Sequence, residues 1–327
     1  MKPAHTSPEW SGGRPPVTLW IFNHSFRYIS EQIEFFCSSL AQHGYPVRVS
    51  RHANPATLNV VIENFSPQTA LPVARFCRDH RKRVAVVQTE HIDLVDGRVY
   101  FHGVEIGSRD DYIAPGTKIQ RLTSLLTMRE HVRSFFRLGD LPRLRNVERM
   151  LPGLTTSTIP FPLIRPSDRS LPGVGGRASE PFDLVFTGIL TAHRQRVLKE
   201  ISERFAVHVG REAVSRRRRD ALNAASRLVL NVPQNEGWTW ISTMRVLAAL
   251  RCGRATVAIG DFEECAINRF CARIAPNAAL LPALRQLLER GDALFEHHIA
   301  AYNEFAASDG NSPFPHEEFE LWGALEL

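Results

Sequence analysis

Short apolar runs alternate with helical patterns along most of the chain, and this alternation limits its possible folds more than any other feature. In the first half, helical spacing recurs from Ile29 to Leu40, with Ser30 as the expected cap, and from Leu71 to Arg81. The apolar runs typical of strands are Val17 to Phe22, Val47 to Val49, Leu58 to Ile62 and Val84 to Val87. Strands that alternate with helices favour a largely parallel sheet flanked by helices.

The second half repeats this rhythm more regularly. We predict helices from His193 to Arg204, Ser215 to Ala225 and Trp240 to Arg251, and strands at Asp183 to Thr187, Phe205 to Val209, Leu228 to Asn231 and Ala255 to Ile259. A chain of 327 residues exceeds the usual size of one hydrophobic core. The predicted fold class is therefore α/β, with two Rossmann-like domains.

The middle of the chain is less regular and contains the expected domain boundary. A helical pattern runs from Ile119 to Phe136, and Leu154 to Ile159 is typical of a strand. The following segment is rich in proline and glycine, so it cannot form a regular element. We expect a loose lead-in at 1–16, a first domain at 17–164, a linker at 165–181 and a second domain at 182–327.

Composition excludes several classes of protein. No apolar run approaches the roughly 18 to 20 residues that a membrane-spanning helix needs, and residues 1–16 lack the apolar core of a signal peptide. The five cysteines are scattered and complete no zinc-binding set. We therefore expect a cytoplasmic protein without a metal site.

Basic charge is concentrated in one part of the chain. Residues 194–219 contain nine Arg or Lys against three Glu, a net charge of +6, which equals that of the whole chain. Such a concentration suggests an anionic ligand, either a nucleotide diphosphate, a nucleic acid or a lipid phosphate. A solvated helix face is the alternative interpretation.

Two strand-to-helix junctions in the second half could hold an anion. In the first, Gly188 would let a ligand approach the backbone, and the helix that begins near Arg194 and Arg196 has a positive end that favours a diphosphate. In the second, Asn231 ends a strand and Arg245, early in the next helix, can direct its fork of donors at phosphate. Neither junction matches the GxGxxG or Walker motifs, and ordinary turns remain the alternative.

These segments, Phe186 to Arg196 and Leu228 to Asp261, resemble the donor-binding C-terminal domain of GT-B glycosyltransferases. The likeness is especially to the spore-maturation-protein-like branch, with a glycosyltransferase family 1/4-like C-terminal domain. In that branch a glycine precedes a basic helix, and a strand ending in Asn is followed by Arg-Val, an apolar helix, Gly and a strand. The resemblance implies two Rossmann-like domains that face each other across a cleft. It also implies transfer of a sugar from a nucleotide-sugar to a hydroxyl on a glycan or lipid-linked saccharide.

The resemblance also implies roles for individual residues. Gly188 would give access to the diphosphate, Arg194, Arg196 and Arg245 would neutralise it, and the other donor-binding residues would be Thr187, His193, Asn231, Ser242 and Asp261. Such a clamp supports departure of the nucleoside diphosphate without a metal, so no cofactor is expected beyond the nucleotide-sugar co-substrate. Many relatives hold the donor ribose with a glutamate on the helix that here contains Val246 to Leu250, and Asp261 is the expected substitute.

A catalytic base for the acceptor hydroxyl is expected from the first domain. His24, Glu90 and His91 follow predicted strands, where ligands of open α/β sheets collect, and each can accept a proton. A structural hydrogen-bonding role is the alternative for each of them.

Two other functions remain open. A catalytically inert nucleotide- or sugar-binding relative would account for the missing glutamate. A nucleic-acid-binding protein would use Arg216 to Arg219, but no recognition motif surrounds this run and its arginines lie on all faces of one helical turn. Nucleic acid is therefore not the expected partner, whereas peripheral contact with a membrane is compatible with a lipid-linked acceptor.

Overall fold

The computed structural model describes residues 13–62, 66–89, 92–101, 103–108, 115–139, 153–165, 181–210, 214–277 and 279–326. Within these residues, two parallel sheets form the centres of two α/β units. The predicted fold class, with two Rossmann-like domains, is confirmed.

The first sheet has six strands in the order β2-β1-β3-β4-β8-β9, and all neighbours are parallel. Its strands are β1 (Val17–Trp20), β2 (Val47–Ser50), β3 (Leu58–Ile62), β4 (Val84–Gln88), β8 (Val132–Leu138) and β9 (Thr155–Ile159). Its helices are α1 (Phe26–Gln42), α2 (Pro67–His80) and α3 (Pro115–Thr127).

Helices cover both faces of this sheet. Successive residues of a strand point to opposite faces, so they join different hydrophobic cores. In β4, Ala85 and Val87 belong to the core that includes α1, whereas Val84 and Val86 belong to the core that includes α2 and α3. A small antiparallel sheet, β5 (Ile92–Val95), β6 (Arg98–Phe101) and β7 (Val104–Glu105), follows the carboxyl end of β4.

The second sheet has five parallel strands in the order β11-β10-β12-β13-β14. They are β10 (Phe182–Phe186), β11 (Val207–Val209), β12 (Ser226–Asn231), β13 (Ala255–Ile259) and β14 (Ala272–Ile274). The helices here are α4 (Ala192–Ser202), α5 (Arg216–Ala224), α6 (Thr243–Arg251), α7 (Leu280–Glu289), α8 (Gly291–Ala307) and α9 (His316–Glu326).

Two local predictions for the first half were wrong. The helix expected from Ile119 to Phe136 ends at Thr127, and β8 begins at Val132. Because β8 lies inside the sheet, Val132, Phe135 and Phe136 are all buried, so the strand lacks the alternation that distinguishes it from a buried helix. Ser30 does not cap α1, because this helix begins four residues earlier.

Residues 161–164, which follow β9, contact both domains, and three side-chain amides hold their backbone. Gln42 bonds both the N–H and the carbonyl of Leu163 at 2.9 Å. Asn303 does the same for Ile164, at 2.9 and 3.0 Å, and Asn311 for Phe161, at 3.0 Å. These two-point contacts satisfy peptide groups that lie outside any strand. Residues 166–180, most of the predicted linker, lie outside the described part of the chain.

The last helix returns to the first domain. In α9, Phe319 stacks on Phe136 of β8 with ring centroids 5.0 Å apart, and Glu318 pairs with Arg133 at 2.9 Å. Among the helices that the structure describes, none has both the length and the apolar character needed to cross a membrane.

Candidate functional site

Loops from the carboxyl ends of the two sheets meet, so the domains face each other as predicted. Gly103, in the turn between β6 and β7, has φ of +77°. A methyl group on its Cα would lie 2.2 Å from the carbonyl oxygen of Gly237, in the loop that follows β12. The two backbones can therefore approach this closely only because neither residue has a side chain there.

Arg245, in the first turn of α6, is the centre of the candidate site. Its Nη1 donates to Asn231 Oδ1 at 3.3 Å, and its Nη2 donates to the carbonyl of Thr187 at 3.2 Å. The guanidinium lies over the ring of Phe186, 4.9 Å from its centroid, and the side chain is partly exposed. Burial lowers the pKa of Arg245 to about 10, so the group stays charged at neutral pH.

Gly188 makes room for this guanidinium. A methyl group at Gly188 would lie 2.7 Å from Arg245 Nη2 and 3.1 Å from Phe186 Cζ, and both distances are shorter than ordinary contacts. The glycine predicted to admit a ligand therefore also allows Arg245 to reach the carbonyl of Thr187.

Arg194 is a second cation beside Phe186, 5.2 Å from the ring centroid. Its Nε donates to the carbonyl of Val232 at 2.9 Å, and its Nη1 donates to the carbonyl of Ile189 at 2.8 Å. Arg194 is buried, so it joins the loop after β10 to the loop after β12 and adds positive charge behind the surface of the site.

The start of α4 is covered by the loop 232–237. Thr191 caps the helix, since its Oγ1 accepts from the N–H of Arg194 at 3.3 Å and donates to the carbonyl of Gln234 at 2.6 Å. Glu236 pairs with Arg196 at 2.5 Å and lies 3.5 Å from His193 Nδ1. Burial lowers the pKa of His193, with Glu236 acting in the opposite direction. The charge of Arg196 is thus partly offset, although its side chain is 63% exposed.

Asn231 and Ser242 lie at the same junction as Arg245. Asn231 is buried, and its Nδ2 donates to the carbonyl of Ser242 at 3.2 Å. The hydroxyl of Thr187 is also buried, and it has no hydrogen-bond partner among the described residues. A buried polar atom of this kind calls for a partner, which a polar ligand can supply.

The structure has no carboxylate on the part of α6 where the resemblance predicts a ribose-binding glutamate. Val246 to Leu250 are all buried in the second-domain core, so this part of α6 presents no acid to the cleft. Asp261 is exposed just beyond the carboxyl end of β13. It makes no hydrogen bond or ion pair with the residues that the structure describes.

Of the three predicted catalytic bases, the structure describes one. His24 follows β1 and is half-buried, and its pKa is lowered by burial and secondarily by Arg121. A neutral imidazole at pH 7 is able to accept a proton. Glu90 and His91 lie outside the described residues.

The arginine run at the start of α5 contacts the first domain. Arg219 is buried and pairs with Glu31 of α1 at 2.5 Å, and Arg216 pairs with Glu34 at 2.7 Å. Arg251, at the end of α6, also reaches Glu34, at 3.3 Å. The charge run that suggested nucleic-acid binding therefore supplies part of the contact between the domains.

Sequence reasoning gave no role to two residues of the candidate site. Phe186 begins the segment that carries the resemblance, and both Arg194 and Arg245 lie over its ring. Its position directly before Thr187-Gly188 was the available signal. Glu236 lies in a loop that carried no motif. In the described part of the chain, no group of three or more His, Cys, Asp or Glu is placed to hold a metal ion.

Comparisons with known proteins give resemblance in structure but not in sequence. No family model matches the chain, and no curated protein matches it. It is similar to the pneumococcal O-GlcNAc transferase GtfA in complex with UDP and GlcNAc, with 15% identity and a TM-score of 0.43 over 82% of this chain and 56% of that one. It is similar to a TarM variant from S. aureus in complex with UDP, with 11% identity and a TM-score of 0.45 over 82% of this chain and 55% of that one.

A third similar structure is an α-glucosyltransferase in complex with UDP and DNA. The identity is 8% and the TM-score 0.45, over 96% of this chain and 100% of that one. This chain thus spans little more than half the length of the first two proteins.

Proposed function

We propose that this chain is a glycosyltransferase that binds the diphosphate of a nucleotide-sugar at Arg245 and transfers the sugar to a hydroxyl of a glycan or lipid-linked saccharide. The observation that carries the proposal is the environment of Arg245. Its two hydrogen bonds go to neutral oxygens, those of Asn231 and Thr187, and its side chain is partly exposed where the domains meet. Its full charge is therefore available to an anion.

The surrounding charges favour the same ligand. Glu31 is the acidic group whose charge acts on Arg245, but Glu31 is itself paired with Arg219 at 2.5 Å. Arg194 adds a second positive charge on the ring of Phe186. When the bond between the anomeric carbon and the diphosphate breaks, negative charge grows on the leaving oxygen, and a guanidinium already held in place stabilises it without reorganisation.

The acceptor hydroxyl would form the new bond to the anomeric carbon and lose its proton to a base. His24 suits this role because its lowered pKa keeps it neutral at pH 7. Glu90 and His91 remain proposals for the same role, as do Arg196, His193 and Ser242 for donor binding. The clamp of arginines supports a reaction in which no metal neutralises the diphosphate.

A nucleotide-binding protein without transferase activity is the second candidate. The observation that favours it is the apolar, buried stretch Val246 to Leu250, where the resemblance predicts a ribose-binding acid. In the leading proposal, Asp261 takes that role from the end of β13.

A thermal-shift screen of nucleoside diphosphates tests the proposal. At a concentration about 100 times the dissociation constant, a bound nucleotide stabilises the native state by roughly 2.7 kcal/mol. We expect Arg245→Ala to abolish the shift, and Arg285→Ala, which removes an exposed arginine of α7, to leave it unchanged. If no nucleoside diphosphate raises the melting temperature, the donor site is wrongly assigned.

Release of nucleoside diphosphate from a nucleotide-sugar then separates the two candidates. A transferase hydrolyses its donor slowly without an acceptor, whereas an inert binder releases nothing. His24→Gln should keep the thermal shift and lower turnover by about 10²- to 10⁴-fold, because it removes the base but not the donor site.

A further inference from the structure

The helices α2 and α3 form an outer surface of the first domain. Both lead into strands of the same parallel sheet, β4 and β8, so they run in the same direction on one face of it. Their ends come together at the amino edge of the sheet, where Cys77 Sγ lies 3.8 Å from the carbonyl oxygen of His131. The second domain contacts the opposite side, through α1.

This surface carries unusual apolar exposure. Leu71 of α2 is 68% exposed, and Ile119 and Leu126 of α3 are 48% and 45% exposed. Eight large apolar side chains are exposed among the described residues, so three of the eight lie on this pair of helices. Helical spacing places Ile119 and Leu126 on one outward stripe, because positions seven apart share a face.

The same surface is strongly basic. Between residues 71 and 83 the chain has five Arg or Lys and one acid, Asp79, which pairs with Arg75 at 3.5 Å through exposed side chains, so the net charge of this segment is +4. The outward stripe of α2 continues from Leu71 through Arg75 to Arg78, and all three side chains are exposed. Arg81 and Arg83 follow directly and are exposed as well. Beyond the end of the neighbouring helix, Arg129 and Glu130 are both exposed, and Glu130 lies 3.4 Å from His131 Nε2.

We infer that the α2–α3 surface docks on a membrane whose lipids are anionic. Exposed aliphatic side chains among arginines match an interface in which apolar groups enter the acyl boundary while guanidinium groups bind lipid phosphates. Each basic residue near an anionic bilayer raises partitioning about fivefold. A nucleic acid would match the arginines but would leave Leu71, Ile119 and Leu126 in water.

This inference goes beyond the proposed function and does not require it. The second domain contacts α1, on the other face of the sheet, and the β6–β7 turn at the carboxyl edge. Docking through the outer faces of α2 and α3 therefore leaves the cleft open to a soluble nucleotide. It would place the first domain, where the acceptor is expected, beside lipids that can carry a saccharide.

Co-sedimentation of the full chain with vesicles tests the inference. We expect binding to vesicles of phosphatidylcholine mixed with phosphatidylglycerol, and not to phosphatidylcholine alone. The double variant Arg75→Glu, Arg78→Glu should lower partitioning at least about tenfold. The matched variant Arg204→Glu, Arg285→Glu changes exposed arginines of the second domain by the same charge and should stay within about twofold of the unmodified protein. Leu71→Asn should also weaken vesicle binding.

Three results would overturn the inference. The first is equal binding to the two vesicle types, or binding to neither. The second is an equal loss of vesicle binding in both double variants, which would indicate that binding depends only on the net charge of the protein. The third is binding to duplex DNA that depends on Arg75 and Arg78, with Leu71→Asn leaving vesicle binding unchanged. Nucleotide-induced thermal shifts of the same variants report the donor site separately, so failure of one proposal is distinguishable from failure of the other.

Discussion

Gly188→Ala perturbs the proposed donor site without altering any of its charged groups. The added methyl would lie 2.7 Å from Arg245 Nη2, so the guanidinium must move by several tenths of an ångström or more. The 3.2 Å hydrogen bond to the carbonyl of Thr187 is then lost. Gly188 has no left-handed backbone, so alanine is compatible with its conformation.

The expected effect on stability is small. Loss of a hydrogen bond from a charged group costs about 1.5 kcal/mol, and less for a partly exposed side chain. Replacing glycine by alanine stabilises the folded protein by roughly 0.4 to 1 kcal/mol, because it lowers the conformational entropy of the unfolded chain. The free energy of unfolding should therefore change by less than about 1 kcal/mol.

The expected effect on nucleotide binding is larger. A guanidinium displaced from its position loses a charge-assisted hydrogen bond to phosphate, which is equivalent to about 1.5 to 3 kcal/mol, or roughly 10- to 100-fold in dissociation constant. Isothermal titration with the nucleoside diphosphate found in the thermal-shift screen measures this change.

Gly116→Ala is the matched control, because no atom lies within 4 Å of the added methyl. It should bind nucleotide like the unmodified protein. If Gly188→Ala also binds normally while Arg245→Ala does not, the guanidinium does not need its observed position. If all three bind normally, Arg245 is not part of the donor site.

Two further predictions concern the fold. Gly103→Ala should destabilise the protein by more than Gly97→Ala. Both glycines have left-handed backbones, but only at Gly103 would the added methyl group clash with the other domain. Equal losses of stability in denaturant unfolding would contradict this contact. Burial lowers the pKa of His298 to about 4, below its ordinary value of 6.5. As the pH drops, the unfolded chain therefore takes up a proton on this histidine before the folded protein does. The free energy of unfolding should fall by about 2 kcal/mol between pH values above 6.5 and pH 5. His298→Gln should flatten this pH dependence and His297→Gln, at an exposed neighbour, should not; the opposite order would refute the assignment.

The sequence was most informative where turn residues bound a short apolar run. The strands β10, β12 and β13 were placed correctly for this reason. The sequence pattern did not predict β8, because the short turn at Arg129–His131 joins a helix to this strand without glycine or proline. Burial on both faces removed the remaining periodic signal. The small β5–β7 sheet was missed for a different reason, since a strand of two residues, Val104–Glu105, has no measurable period.

The contact between Arg245 and Asn231 in the candidate site could be anticipated from the sequence, whereas the finer geometry could not. Each of the two residues stands at a strand end or a helix start, and this position fixes its backbone. The guanidinium over Phe186 could not be found in that way, because it depends on Gly188, from another strand, leaving space for a long side chain. Contacts of this kind join positions 58 residues apart in sequence, and no local pattern records them.

The arginines of the second domain differ in the groups that they contact. Within residues 194–219, Arg196 pairs with Glu236, and Arg216 and Arg219 pair with acids of the first domain. These ion pairs offset three of the nine positive charges in the window. Arg194, like Arg245, donates to neutral oxygens instead. Arg245 lies outside the window, and its hydrogen bonds are to neutral oxygens. An arginine bonded to neutral oxygens is therefore a better candidate for binding an anion than one that is already paired with a carboxylate.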